Sequence, residues 1–145
     1  TTATAQTNSI SYELGKNGFI HNFVFDHKLK SSTFGLRGFA GSNFGRYNHA
    51  FLIGTGVYHL VGKQKYFLEL GADVAYFKHL NAGEDQKGAG LVYPDKELST
   101  IYPSANIGYR YMGRKLLFRI GISPGIAGRV FIPGGYMSLG FKTTR

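Results

Sequence analysis

Three short turns divide six segments of this chain into hairpins whose bulky apolar residues all fall on one face. The turns centre on Leu29-Lys30, Lys63-Gln64 and Gly113-Arg114. Residues opposite one another in an antiparallel pair point the same way, so each turn predicts a register and two faces. Around Lys63-Gln64, Val61 falls opposite Tyr66, His59 opposite Leu68, Val57 opposite Leu70 and Phe51 opposite Tyr76. The alternate pairs, Tyr58 with Glu69, Gly56 with Gly71 and Gly54 with Asp73, carry the carboxylates and the glycines. Around Gly113-Arg114, Tyr111 faces Leu116, Tyr109 faces Phe118 and Ile107 faces Ile120, while Gly108, Arg110, Arg119 and Gly121 share the other side. Around Leu29-Lys30, Phe25 is expected opposite Phe34, Phe23 opposite Leu36, Asn22 opposite Arg37 and Asp26 opposite Thr33.

Volume decides which face looks inward. The interior of an eight-stranded barrel accepts only a limited set of side chains, and glycine on an exposed strand surface weakens the strand for no gain. The glycine face is therefore expected inside, with long charged residues threaded between the glycines. The Phe, Tyr, Ile and Leu face is left to lipid. Phe39, Phe67, Phe77 and Leu117 also fall on the inner face, and we read them as plugs near the ends of the lumen.

A chain of 145 residues makes one domain. We assign 8–145 to a single barrel and read 1–7 as a signal-peptide remnant or a disordered start, because Ala3 to Ala5 has the Ala-x-Ala form of a cleavage site. No apolar run reaches the roughly 18–20 residues of a membrane helix. Cysteine is absent, so there is neither a disulfide framework nor a thiolate metal site. Strands are expected over 8–14, 19–28, 31–41, 49–61, 66–79, 99–112, 115–125 and 135–143, eight in all. The segment Gly15-Lys16-Asn17-Gly18 closes the first hairpin. Longer connections over 42–48, 80–98 and 126–134 alternate with the tight turns. Pro103 and Pro124 fall opposite one another, where a bulge or an early end to pairing is expected.

The alternating segments Ser9-Ile10-Ser11-Tyr12-Glu13-Leu14-Gly15, Phe67-Leu68-Glu69-Leu70-Gly71-Ala72 and Ile107-Gly108-Tyr109-Arg110-Tyr111 resemble the small outer-membrane β-barrel proteins of the OmpA/OmpX-like kind, especially those of Bacteroidota. The resemblance extends over nearly the whole chain and consists of pattern more than motif. It implies an all-β, eight-stranded antiparallel up-and-down transmembrane barrel in the bacterial outer membrane of a Gram-negative cell, its polar lumen filled by side chains. Short turns and both termini would be periplasmic, and the long loops extracellular. Such barrels often end on an aromatic residue, whereas here Phe141 is followed by Lys142-Thr143-Thr144-Arg145. Either Phe141 serves the assembly signal or that signal differs.

The inward charges are the most specific constellation. Glu13, Asp26, Glu69 and Asp73 are expected to face Arg37, Arg110, Arg119 and Lys142 as a structural salt-bridge network; a narrow ion path is the functional alternative, against which the inward phenylalanines argue. Tyr12, Phe23, Phe25, Phe34, Phe51, Tyr66, Tyr76, Tyr109, Tyr111, Phe118 and Phe141 are expected to face lipid or a protein partner. The net charge of +9 concentrates at the tight turns, on Lys28, Lys30, Lys63, Lys65, Arg114 and Lys115, while loop 80–98 carries Glu84, Asp85, Asp95 and Glu97 against Lys87 and Lys96. The basic end suits anionic headgroups or an acidic periplasmic partner, or is simply solvated. No nucleic-acid motif accompanies the charge, and none is expected to bind.

Catalysis needs a nucleophile, a base and an orienting group within reach. Among His21, His27, His49, His59 and His79, only His27 finds a serine opposite it, Ser32, and that pair is a poor candidate. No histidines have metal-ligand spacing, and the glycines near 83–90 and at 134–135 lack a phosphate-loop ending. We therefore expect no catalytic residues, metal or cofactor. The expected function is a structural or accessory barrel in contact with outer-membrane lipid and docked on a larger outer-membrane complex, with its oligomeric state open. The alternatives are a lipid A acylase or deacylase, and a soluble lipocalin-like barrel with inverted faces.

Overall fold

A computed structural model of the chain describes residues 7–15, 20–30, 32–44, 48–81 and 98–143. The first hairpin turn, most of loop 80–98 with its acidic residues, and the last two residues lie outside them. Strands β1 (Thr7–Gly15), β2 (Ile20–Lys28), β3 (Phe34–Ser42), β4 (Asn48–Lys63), β5 (Tyr66–Asn81), β6 (Leu98–Met112), β7 (Leu116–Ile122) and β10 (Gly135–Thr143) pair with their sequence neighbours, and β10 returns to β1. The result is the closed, eight-stranded antiparallel up-and-down barrel expected from the hairpin pattern. Thr7, inside the segment read as a signal remnant, is already strand. The tight turns share one end of the barrel with Thr7 and Thr143, since Thr7 lies opposite Lys28 and Asn8 opposite Thr143.

All three expected registers are displaced, each by an even number of residues. Gln64, not Lys63, begins the two-residue turn with φ at 63°, so Lys63 meets Tyr66 and Val57 meets Ala72 rather than Leu70. The β6–β7 turn closes on Gly113, whose N–H donates to the Leu116 carbonyl at 2.8 Å, so Ile107 meets Ile122. Between β2 and β3 the loop is longer. Leu29 N–H donates to the Phe34 carbonyl at 3.1 Å, the Ser32 hydroxyl accepts from Phe34 N–H at 3.0 Å, and Asp26 moves opposite Arg37. Side-chain direction repeats every two residues, so even displacements leave both faces intact.

The ladder lapses at Ser123 and Pro124, the early end to pairing expected there, and without a bulge, because Ile107–Ile122 and Ser104–Gly125 keep one register across the break. Pro103 consequently misses Pro124 and lies opposite Val74 on its other side. The region 126–134, expected as loop, contains a small hairpin of β8 (Gly125–Ala127) and β9 (Val130–Ile132).

The outer wall is apolar between its ends. Ile10, Phe25, Ile53, Val57, Leu70, Val74, Ile107, Ile120 and Leu139 are exposed across the middle, and the outward charges among the described strand residues, Lys63 and Lys78, sit at opposite extremes. From Phe51 to Val61 on β4 the chain advances ten residues; at about 3.3 Å each and a tilt of about 40°, that rises roughly 25 Å. Aromatic rings gather at both margins: Tyr12, Phe23, Phe51 and Tyr76 toward the long loops, and Phe34, Tyr66, Tyr109 and Phe141 toward the tight turns. Tyr111 and Phe118, in the second girdle, are half-buried. Tyr66 packs against both Tyr109 and Tyr111, with ring centroids 6.2 and 5.5 Å away.

The lumen is layered. Toward the long loops Val24, Phe39, Leu52, Phe77, Tyr102 and Ile132 form an apolar plug. The charges fill the middle, and Leu60 and Leu117 lie toward the turns. The lumen is thus polar in its middle and apolar at one end, which refines the expectation of a polar interior.

Candidate functional site

The middle layer is built from arginines on three strands and carboxylates on three. Arg37 on β3 and Asp26 on β2 are directly opposite in register, and Arg37 Nε donates to Asp26 Oδ1 at 3.1 Å. Glu69 on β5 is the hub. Its Oε2 accepts from Arg110 Nε at 2.5 Å and Arg119 Nε at 3.1 Å, and its Oε1 accepts from Arg119 Nη2 at 2.8 Å and from Arg37 Nη2. Asp26 Oδ2 also accepts from Arg110 Nη2 at 3.3 Å, and Glu13 Oε2 on β1 accepts from Arg119 Nη1 at 3.1 Å. Asp73 lies at the margin, 3.7 Å from Arg37 Nη1, with Asn106 Nδ2 donating to its Oδ2 at 2.7 Å. Arg37, Arg110, Arg119, Glu13, Asp26 and Glu69 are all at most 1% exposed.

Glycines make room for this layer through tyrosines. Tyr58 is flanked in register by Gly35 and Gly71, and Tyr136 by Gly15 and Gly121. A Cβ on Gly35 would lie 2.2 Å from Tyr58 Cζ, and one on Gly121 would lie 2.9 Å from the Tyr136 hydroxyl. The rings thus cross the bare backbone of the neighbouring strand and offer their faces to the guanidiniums. Arg110 and Arg37 Cζ lie 4.3 and 5.1 Å from the Tyr58 centroid, and Arg119 Cζ lies 5.0 Å from that of Tyr136. Such cation–π contacts add to the ion pairs most where water is excluded. Gly56 has a related role between Arg37 and Asp73: a Cβ there would meet Asp73 Oδ1 at 1.8 Å. We predict that Gly35→Ala displaces Tyr58 and costs about 1–3 kcal/mol of stability through overpacking, read as a lowered urea midpoint. An unchanged midpoint would show that the ring does not depend on that space.

Seven of the eight residues expected in the network are brought together. Lys142 is not: it enters the lumen at the turn end, below the carboxylates. Lys28, expected among the exposed turn lysines, instead points inward and is buried, because it follows Asp26 by two residues on the same face. Lys30, Lys63, Lys65, Arg114 and Lys115 are exposed at the turns as expected. Tyr58 and Tyr136 belong to the cluster too; the sequence places Tyr58 on the inner face opposite Glu69 but does not mark either ring as part of the charge layer. Their signal in the sequence was inner-face parity next to glycine-rich strands.

His27 and Ser32 do not face each other. His27 lies opposite Leu36, its Nδ1 pairs with Asn8 Oδ1 at 2.6 Å, and Ser32 serves the loop. His21 is bonded to the Tyr12 hydroxyl and His59 stacks on Phe34 at 4.4 Å. Among the described residues no cluster of histidine and carboxylate could hold a metal ion. The middle layer offers neither an accessible nucleophile nor a free base; its chemistry is mutual neutralisation.

A closed barrel with an apolar wall, two aromatic margins and an ion-paired layer across its lumen has the architecture of the small eight-stranded outer-membrane barrels, the OmpA/OmpX-like kind. Particular solved members share it at low identity. The N-terminal β-barrel domain of Pseudomonas aeruginosa OprF superposes with a TM-score of 0.75 at 11% identity, covering 94% of this chain and 97% of that one. Neisserial surface protein A gives 0.56 at 13% identity over 97% and 96%. The Yersinia pestis outer membrane protein Ail, in a phospholipid bilayer nanodisc, gives 0.58 at 9% identity over 96% and 100%. No protein-family model matches the sequence, and no curated protein matches it significantly.

Proposed function

We propose that this chain is an integral protein of the bacterial outer membrane with a structural or accessory role, docked on a larger outer-membrane complex. The observation that carries the reading is the pairing of an apolar outer wall with an occluded lumen. A barrel whose interior is taken up by Glu69 and its arginines, and by Phe39 and Phe77 toward the loops, offers solutes no open path through those layers. Its working surfaces are then the wall, the rims and the loops. The wall also has a feature that suits a partner. Gly38 and Ala40 on β3 floor an open apolar recess of about 460 Å³ bordered by Phe23, Phe25 and Ile53. A Cβ on Gly38 would touch nothing, so the barrel's own packing does not require the glycine. Such a glycine suits close approach from outside.

In this reading the tight turns and both termini face the periplasm, where Lys63, Lys65, Arg114 and Lys115 meet anionic headgroups or an acidic partner. The separation of His27 from Ser32 removes the one nucleophile–base pair that the sequence offered for a lipid-modifying enzyme. The deciding experiment is affinity purification from native membranes in mild detergent with mass spectrometry, alongside a solubility test without detergent. A stoichiometric outer-membrane partner, lost when Gly38→Trp fills the recess, is the expected result. A detergent-dependent barrel that purifies alone would overturn the accessory role, and a chain soluble without detergent would overturn the membrane assignment.

A further inference from the structure

The turn end of the lumen holds a second group of charges, apart from the guanidinium layer. Lys28 ends β2 with its side chain inward and 9% exposed, and its Nζ has no hydrogen-bond partner. Lys142 on β10 is half-buried in the same end. Strand β1 runs between them: Ser9 lies opposite Lys142 on one side and Asp26 on the other, and Thr7 lies opposite Lys28. The acid closest along the strand, Asp26, has given Oδ1 to Arg37 and Oδ2 to Arg110. No ion pair among the described residues reaches either lysine.

An ammonium group kept from water without a counter-charge is unfavourable until it is neutralised or paired. Each described carboxylate of the lumen is directed at an arginine and none at Lys28 or Lys142, so a counter-charge entering from the mouth would serve these lysines. The route to it is basic: Lys142 N–H donates to the Lys115 carbonyl at 2.8 Å, which places the exposed Arg114-Lys115 turn beside the mouth. A rim of one sign raises the local concentration of the opposite ion. The two lysines, with the buried residue Ser9 on the strand that runs between theirs, match a tetrahedral dianion, which accepts several charge-assisted hydrogen bonds at once.

We propose that Lys28, Lys142 and Ser9 form a binding site for a phosphate group at the turn-end mouth of the lumen. The group belongs either to free phosphate or to an anionic phospholipid headgroup at that rim. The site is independent of whether the barrel docks on a larger complex.

The test is urea unfolding of the folded barrel in maltoside micelles, titrated with inorganic phosphate against sodium chloride of equal ionic strength. A ligand that binds only the folded state raises the midpoint by mass action. We expect a saturable rise with phosphate beyond that with chloride, at least about tenfold weaker in Lys28→Met and Lys142→Met and unchanged in Lys63→Met, whose lysine lies on the rim. Lys28→Met is also expected to be more stable than the parent in phosphate-free buffer, since it removes an uncompensated charge. Lys142→Met carries the test alone if Lys28→Met does not fold. A second arm uses vesicles of phosphatidylglycerol against phosphatidylcholine. A lysine-dependent shift with phosphatidylglycerol but not with inorganic phosphate identifies the headgroup as the source. The proposal is overturned if neither arm exceeds its control, or if the excess is the same in the Lys28 and Lys142 variants as in the parent.

Discussion

Glu69→Gln is expected to lower the unfolding free energy of the barrel by about 3–5 kcal/mol, the cost of leaving buried charges without their partner. The substitution keeps the shape of the side chain but removes its charge and turns one acceptor oxygen into an N–H donor group. Three guanidiniums lose their shared carboxylate at once, and two of them, Arg110 and Arg119, are directly opposite across β6 and β7. With Glu69 ionised, that pair of like charges is bridged through Oε2, which both Nε atoms reach. Without it, Asp26, Glu13 and the marginal Asp73 remain, each already committed to one edge of the cluster. Removing Arg119 together with Glu69 is expected to cost less than the sum of the single changes, because residues in one network are not additive. Urea unfolding of the four proteins of this cycle reads the coupling directly. A Glu69→Gln barrel within 0.5 kcal/mol of the parent, as expected for an exposed turn change such as Lys63→Gln, would show that the layer is not coupled through its hub; the ~0.5 kcal/mol scale is that of ordinary surface substitutions.

The second large effect concerns the outer wall. Val57 is 51% exposed and lies midway along β4, between Phe51 and Val61. Val57→Arg in phospholipid vesicles is expected to destabilise the barrel by about 2–4 kcal/mol, falling to about 0–1 kcal/mol for Val61→Arg near the turn-end rim. The gradient matters more than either value. A soluble barrel that met water on this face would accept arginine at both positions without cost, and no depth dependence would appear. Equal and small effects at Val57 and Val61 would therefore contradict the membrane orientation of the faces.

The faces were legible in the sequence because they rest on parity alone. Glu69, Asp73, Arg110 and Arg119 alternate with Leu70, Val74, Tyr109 and Ile120 whatever the turn, so the inner layer could be named before its pairing was known. What depended on register was not legible. The Asp26–Arg37 opposition and the seating of Tyr58 between Gly35 and Gly71 appear only once the turns are placed to within two residues. Gln64 at positive φ shows why they were misplaced: glycine or asparagine is the usual sign of that conformation, and here the sequence reads Lys-Gln-Lys. Lys28 carries two signals that conflict: it adjoins a basic turn, and its spacing of two from Asp26 puts it on the inner face, which is where the side chain lies. The β8–β9 hairpin is short, follows Pro124 and has few alternating residues, so a loop was the natural expectation.

The even displacements have a consequence for how such a wall tolerates change in length. Inserting or deleting a pair of residues at one of these turns moves one strand past its neighbour by one pleat and leaves hydrocarbon meeting hydrocarbon. A single inserted residue, if the slip propagated along the strand, would turn Asp26, Arg37 or Glu69 toward lipid and bring Phe25, Leu36 or Leu70 into a space already filled. Turn length in this barrel is therefore closed to steps of one, whereas a step of two keeps inside and outside distinct and is resisted only by the register of the lumen, the Asp26–Arg37 opposition and the seat of Tyr58 between its glycines.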